Sequence, residues 1–186
     1  MTRISRRRFL SNNVLAALYG ATHTTSAFSQ SKSSVPWRNW SGGIVSYPKA
    51  RFAAKSESHL AEFMATTKGP VRPVGSGHSF TPLVPTDGHI IAIDQLAGII
   101  DYDADKLTAT IGAGTRLGDI GQPLEDAGQA MFNLPDIDRQ TLAGATATAT
   151  HGTGIKFQCL SGYVESLRLV TPSGEQIDVD ATSDPD

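Results

Sequence analysis

Hydrophobic spacing along the chain switches between a helical and an extended period. In "SESHLAEFMATTKG", from Ser56 to Gly69, Leu60, Phe63, Met64 and Thr67 recur at i, i+3, i+4 and i+7, which is one face of an α-helix. Ser56 can cap its start by accepting a backbone N–H, Gly69 ends it, and Pro70 prevents its continuation. Extended runs flank the helix, residues 44–47 before it and 71–74 after it, so the opening predicts a βαβ unit. "HIIAIDQL", "GIIDYD" and "KLTATIGAG" read as short strands between turn residues, with Leu107, Ala109 and Ile111 alternating against Thr108 and Thr110. After Gly114, Leu117, Ile120 and Leu124 return to helical spacing, and Pro123 should kink or split that helix. "YVESLRLVTPSGEQIDV" alternates like a hairpin turned at Pro172, Ser173 and Gly174. The pattern predicts a mixed α/β chain with two sheet regions.

Composition then removes several classes of function. At 186 residues the chain can hold one domain with a real core, or two small lobes. Sixteen basic and 18 acidic residues create no global field for nucleic acid or an anionic membrane. One cysteine, Cys159, excludes an internal disulfide framework and reads as a small core residue. The five histidines lack metal-ligand spacing, so no metal is expected.

Residues 1–29 differ from the rest. "SRRRFL" is basic, "VLAALYGA" is mildly apolar, and "TTSAFSQ" is small and polar, the three regions of an export signal. The apolar run is short of the roughly 20 residues that a spanning helix needs. Arg6 and Arg7 in this setting resemble the twin-arginine signal, whose machinery carries folded proteins, with cleavage expected after Ser29. Export to the periplasm or the medium is the expectation, with residues 30–43 as a linker and 44–186 as the functional domain.

Candidate chemistry concentrates in two glycine-histidine segments. "VRPVGSGHSF" is a strand feeding a tight turn, because glycine accepts positive φ and lets backbone N–H groups approach a ligand. His78 at its tip either caps the turn or does chemistry on what the loop holds. The second segment, "AGATATATHGTG" from Ala143 to Gly154, alternates alanine with threonine. It predicts a flat surface of little bulk whose amides and hydroxyls could donate to a pyrophosphate. A close-packed turn or a low-complexity tract is the alternative, and His151 alone reads as a structural histidine. Neither Gly75-Ser-Gly77 nor the glycines from Gly112 to Gly118 complete a Rossmann fingerprint, and no phosphate-binding P-loop or nucleophile elbow is present.

Taken in order, "WRNWSGG", "VRPVGSGHSF", "TIGAGTRLGDI", "NLPDIDRQTLAGATATATHGTG" and "VESLRLVTPSG" resemble the flavin-dependent sugar-lactone and alditol oxidases of the vanillyl-alcohol oxidase superfamily, over residues 35–186. The resemblance implies an α+β fold: a two-lobed FAD-binding domain with a small βαβ lobe and a larger mixed sheet. It implies FAD joined covalently to His78, with Gly75, Ser76, Gly77 and Ser79 turned to the pyrophosphate. Ala143, Gly144, Ala145, Thr148, Thr150, His151, Gly152 and Thr153 would line the dinucleotide, while Gly112 and Gly114 would shape a turn. The implied reaction oxidises a CH–OH group of a sugar-derived lactone or polyol and passes the electrons to O2, giving H2O2. Family members continue beyond "DATSDPD" through a substrate domain that carries the catalytic residues, so the resemblance names no general base here. A truncated, inactive flavin-binding fragment and a flavin-free periplasmic carbohydrate-binding protein are the competing expectations.

Overall fold

The computed structural model describes residues 35–183, and the leader expected over residues 1–29 lies outside them. A two-residue antiparallel pair, β1 (Trp37–Arg38) and β2 (Val45–Ser46), opens the described chain. A parallel sheet follows, built from β3 (Ala50–Ala53), β4 (Val71–Val74) and β5 (His89–Ala92) in the order β3-β5-β4. Helix α1 (Glu57–Thr66) makes the crossover from β3 to β4. Its start is capped as expected, with the His59 amide donating to Ser56 Oγ at 3.1 Å. Phe63 on its inner face stacks on Phe52 of β3, ring centres 4.0 Å apart. The middle strand carries the unbroken buried run His89, Ile90, Ile91, as a strand covered on both faces should. Pro73 is tolerated in β4 because that strand lies at the sheet edge.

The βαβ unit is therefore present, but its first strand is β3 and not residues 44–47. Pro48 has no amide hydrogen for a ladder, so the expected strand stops at Ser46 and pairs backwards with β1. Segment 30–43 is also more than a linker where it is described. Asn39 is buried, and its side chain accepts from the Ile44 amide at 2.9 Å and donates to Ser79 O at 3.0 Å.

The second lobe begins with the antiparallel pair β6 (Ile99–Asp103) and β7 (Thr108–Ile111). The helical spacing after Gly114 is realised in two pieces, a 3₁₀ turn at Leu117–Asp119 and helix α2 at Gly121–Asp126. The split falls ahead of Pro123, which occupies the first turn of α2, where a missing N–H costs nothing. The Ala-Thr run is not an extended alternation. Thr141 caps a short helix, α3 (Leu142–Ala147), and Ala149 turns the chain out of it at φ 52°. A 3₁₀ turn at Leu160–Tyr163 leads to the expected hairpin, β8 (Ser166–Val170) with β9 (Gln176–Asp180). Cys159 sits half-buried, its Sγ 3.1 Å from Ser161 Oγ, a contact that holds the thiol pKa below its ordinary value. The core position next to it belongs to Leu160, because the 3₁₀ turn directs that side chain inward.

Two apolar clusters result. One gathers Ala54, Phe63, Ile91 and Ile93, with Ala143 packed against it; the other gathers Leu117, Ile120, Leu124, Ala145 and Leu160. Helix α3 thus touches both, and only residues as small as alanine allow one short helix to seat between two cores. Gly112 and Gly114 shape the neighbouring turn. A Cβ at Gly112 would press on Leu96 O, and one at Gly114 would overlap Ile93 O. Gly114→Ala is therefore expected to cost roughly 1–3 kcal/mol, the range for overpacking a tight site, measured as a lower urea midpoint at unchanged slope.

The hairpin is tied to α1 by Arg168, which donates to both carboxylate oxygens of Asp178 (2.6 and 3.1 Å) and to Glu57 at 3.2 Å. Hydrogen bonds from the Arg168 guanidinium lower the Asp178 pKa, and the Thr182 hydroxyl with the Ser183 and Thr182 amides lowers that of Asp180 to about 2. Both folded-state values lie below the unfolded value. The stability they supply is complete above about pH 4 and is lost as pH falls through the folded pKa values. Thermal midpoints should be level from pH 7 to 5 and fall between pH 4 and 2, with Asp180→Asn showing a shallower fall.

Candidate cofactor site

The two segments singled out in the sequence meet at one point. Gly75 leaves β4 directly against Thr141, the residue that caps α3, and a Cβ on Gly75 would overlap Thr141 Oγ1. Beside this contact, Ser76 Oγ donates to Arg139 O at 2.5 Å. Gly77 follows at φ 62°, with Trp37 close enough that a Cβ would lie 3.1 Å from its ring. The backbone amides of Ser76, Gly77, His78 and Ser79 donate to no acceptor among the described residues. Successive free amides around a left-handed glycine form an anion-binding concavity. His78 is half-buried at its outer end, its ring parallel to that of Trp40.

Two clefts open from the loop. The first, of about 370 Å³, is lined by residues including Trp37, Arg51, Phe52, Ser76, Asp94 and Arg116. The second, of about 270 Å³, shares Gly75, Ser76, Asp94 and Arg116 with it and reaches Gly114 and Thr141. The second cleft sets Asp94 and Asp119 against Arg116 alone, whereas the first sets Arg51 and Arg116, neither in an ion pair among the described residues, against the one carboxylate of Asp94. That balance suits an anion.

Placement of the second segment is less simple. The Ala143 amide donates to Ala113 O, the Gly144 amide to Thr141 Oγ1 and the Ala145 amide to Thr141 O, and Ala145 is fully buried. Thr148 Oγ1 donates to Gly144 O at 2.8 Å, and Thr150 Oγ1 accepts from Gln140 Nε2 at 2.9 Å. These groups are committed to holding the turn after α3. The amides of His151, Gly152 and Thr153 donate to nothing among the described residues, while the exposed His151 keeps its Nδ1 2.8 Å from Gly152 O. No hydrogen bond among the described residues joins 148–153 to 75–79, and His78 lines neither cleft.

Residues 48–180 match the FAD binding domain family. The chain belongs to that family. This FAD-binding domain is 42% identical over 151 residues to L-gulono-1,4-lactone dehydrogenase of Mycobacterium tuberculosis, covering 80% of this chain and 35% of that protein. It is 30% identical over 152 residues to L-gulonolactone oxidase of Bos taurus, covering 80% and 34%. With alditol oxidase of a Streptomyces species it shares 28% over 141 residues, covering 75% and 34%. The chain thus spans about a third of the length of these relatives. In fold it is similar to cholesterol oxidase from Brevibacterium sterolicum (TM-score 0.66, 23% identity, 78% of this chain and 31% of that one). It is also similar to an alkyldihydroxyacetonephosphate synthase (TM-score 0.65, 20% identity, 74% and 27%). The α+β arrangement expected from the sequence is the fold shared with these two proteins, and its second lobe holds two separate two-stranded pairs among the described residues.

The FAD-binding domain carries donors that fit its cofactor, since the free amides of residues 76–79 and the unpaired arginines complement a pyrophosphate. Trp37, Arg51, Asp94, Arg116 and Thr141 were not identified from sequence. Thr141 had a usable signal, a capping threonine ahead of an alanine-rich run; Asp94 and Arg116 had none, since only the strand ends bring them together. The Gly75–Thr141 approach predicts a measurable coupling. Gly75→Ala should destabilise by roughly 1–3 kcal/mol and weaken FAD binding. Combined with Thr141→Ala it should cost less than the two single changes summed, in urea titrations with and without FAD.

Proposed function

We propose that this chain is the FAD-binding part of an exported flavoprotein oxidase that acts on a CH–OH group of a sugar-derived lactone or polyol, with FAD held covalently through His78. The observation that carries the reading is the row of unpartnered amides at Ser76–Ser79 with an imidazole at its end. Relatives named as acting on L-gulono-1,4-lactone, D-arabinono-1,4-lactone and alditols support the substrate class. FAD supplies hydride acceptance at its isoalloxazine ring and return of the electrons to O2 as H2O2. The chain's own residues do the holding. Amides 76–79 bind the pyrophosphate, Arg51 and Arg116 neutralise it, Gly75 and Thr141 keep the loop closed on α3, and residues 151–153, whose amides are free among the described residues, wall the dinucleotide.

Attachment to His78 joins an imidazole nitrogen to the 8α-carbon of the flavin. An N–H and a C–H bond are lost, and both hydrogens with two electrons leave to O2 as H2O2. A cofactor so attached survives dilution outside the cell, consistent with the Arg6-Arg7 leader.

Acid-denatured protein should retain fluorescent flavin, and His78→Ala should release it. His151→Ala should keep the linkage and weaken binding by about 1 kcal/mol, the usual worth of one hydrogen bond. Flavin left on the denatured His78→Ala band, or none on the wild-type band, would refute the assignment. Replacing Arg6 and Arg7 together by lysine should hold the precursor in the cytoplasm; an undiminished periplasmic yield would refute the leader reading.

A further inference from the structure

The ring of His78 is oriented without a hydrogen bond. Among the described residues neither of its nitrogens has a partner. Its plane lies on the indole of Trp40, with ring centres 4.4 Å apart and an interplanar angle of 7°. Phe80 meets the same indole edge-on at 5.5 Å and 78°. The backbone closes on both sides of the histidine, since the Trp40 amide donates to Gly77 O at 3.1 Å and Asn39 Nδ2 donates to Ser79 O at 3.0 Å. Trp40 is itself 52% exposed, more than core packing would leave a tryptophan.

A histidine is commonly oriented by a hydrogen bond to one ring nitrogen, which commits that nitrogen and fixes the tautomer. An offset aromatic stack restrains the plane through the ring faces and leaves both nitrogens at the open edge. We propose that Trp40 is a positioning residue for His78: its indole sets the imidazole plane while keeping the ring nitrogens uncommitted for the bond to flavin. The inference rests on covalent attachment through His78, with the loss of hydrogens to O2 given above. Trp40 touches His78 and takes no part in the bond.

The test follows flavin attachment in time. Full-chain protein made without flavin is mixed with FAD in air, sampled, acid-denatured, and read as flavin fluorescence on the protein band. Trp40→Ala should bind FAD and attach it roughly three- to tenfold more slowly, the span that one aromatic contact is worth. Trp40→Leu, which keeps apolar bulk without an aromatic face, should be slowed likewise. Trp40→Phe should recover most of the wild-type rate. A spectroscopic signature separates this from a structural role: the His78 ring protons should lie upfield in wild type and Trp40→Phe, and move downfield in the other two. Wild-type rates in both Trp40→Ala and Trp40→Leu would overturn the inference while leaving the His78 linkage standing. Loss of FAD binding in step with attachment in both variants would make Trp40 a folding residue and overturn it too. Absence of covalent flavin on the wild type would overturn the linkage and the inference together.

Discussion

The contact of Gly75 with Thr141 is the constraint on which the rest of this structure depends. It sets the end of β4 directly under the Thr141 side chain that caps α3, and it tolerates no side chain at position 75. Thr141 does three things from one place: it fills the space over Gly75, accepts from the Gly144 amide, and bridges to Arg116. Helix α3 can then lie between the two apolar clusters, with Ala143 turned to one and Ala145 to the other. A larger residue at either alanine would push the lobes apart. The loop after β4 would then lose its seat against Thr141.

The site uses backbone more than charge. The chain carries a formal net charge of −2, and the two clefts together are lined by two arginines and two aspartates, so no strong field draws an anion in. Amides that donate to nothing within the protein are solvated or bound by a ligand, because leaving them dry would cost as much as a lost hydrogen bond. A loop of this kind selects by shape and by the number of donors it presents. That is a reason for glycine at 75 and 77, where the chain must pass close to Thr141 and turn through positive φ.

Holding the His78 ring at the end of such a loop raises a second problem, since the loop itself offers no wall to pack against. The N-terminal segment solves it. Asn39 is buried and hydrogen-bonded on three sides, to Ser41, Ile44 and Ser79, and it carries Trp40 onto the face of His78. Residues with the look of a tether in sequence thus become a support for the loop, which explains why β1 and β2 exist as a pair of only two residues each. Their ladder needs only to fix the direction of the turn between them.

Local physics was legible in the amino-acid sequence wherever one element's own spacing or punctuation decides it. The period of Leu60, Phe63 and Met64, the cap at Ser56, the hairpin around Gly174 and the inward run of Leu117, Ile120 and Leu124 all read correctly. So did the mixed α+β class. Tertiary structure decided what depends on neighbours distant in the chain. Residues 44–47 satisfy a strand pattern, yet the sheet takes Ala50–Ala53, because parallel pairing with β5 and burial of Ala50 and Ala54 outweigh the poorer propensity of alanine. Ala-Thr alternation suggests a flat surface of little bulk, yet a capping threonine and the space between two cores make Leu142–Ala147 a helix. The groove lined by Arg51, Asp94 and Arg116, and the stack of Trp40 on His78, exist only through crossovers and turns that bring together segments 38 to 65 residues apart, Trp40 onto His78 and Arg51 into one cleft with Arg116. Spacing along one chain carries no record of such approach, because the energy that fixes it belongs to the packed surfaces and not to the segments themselves.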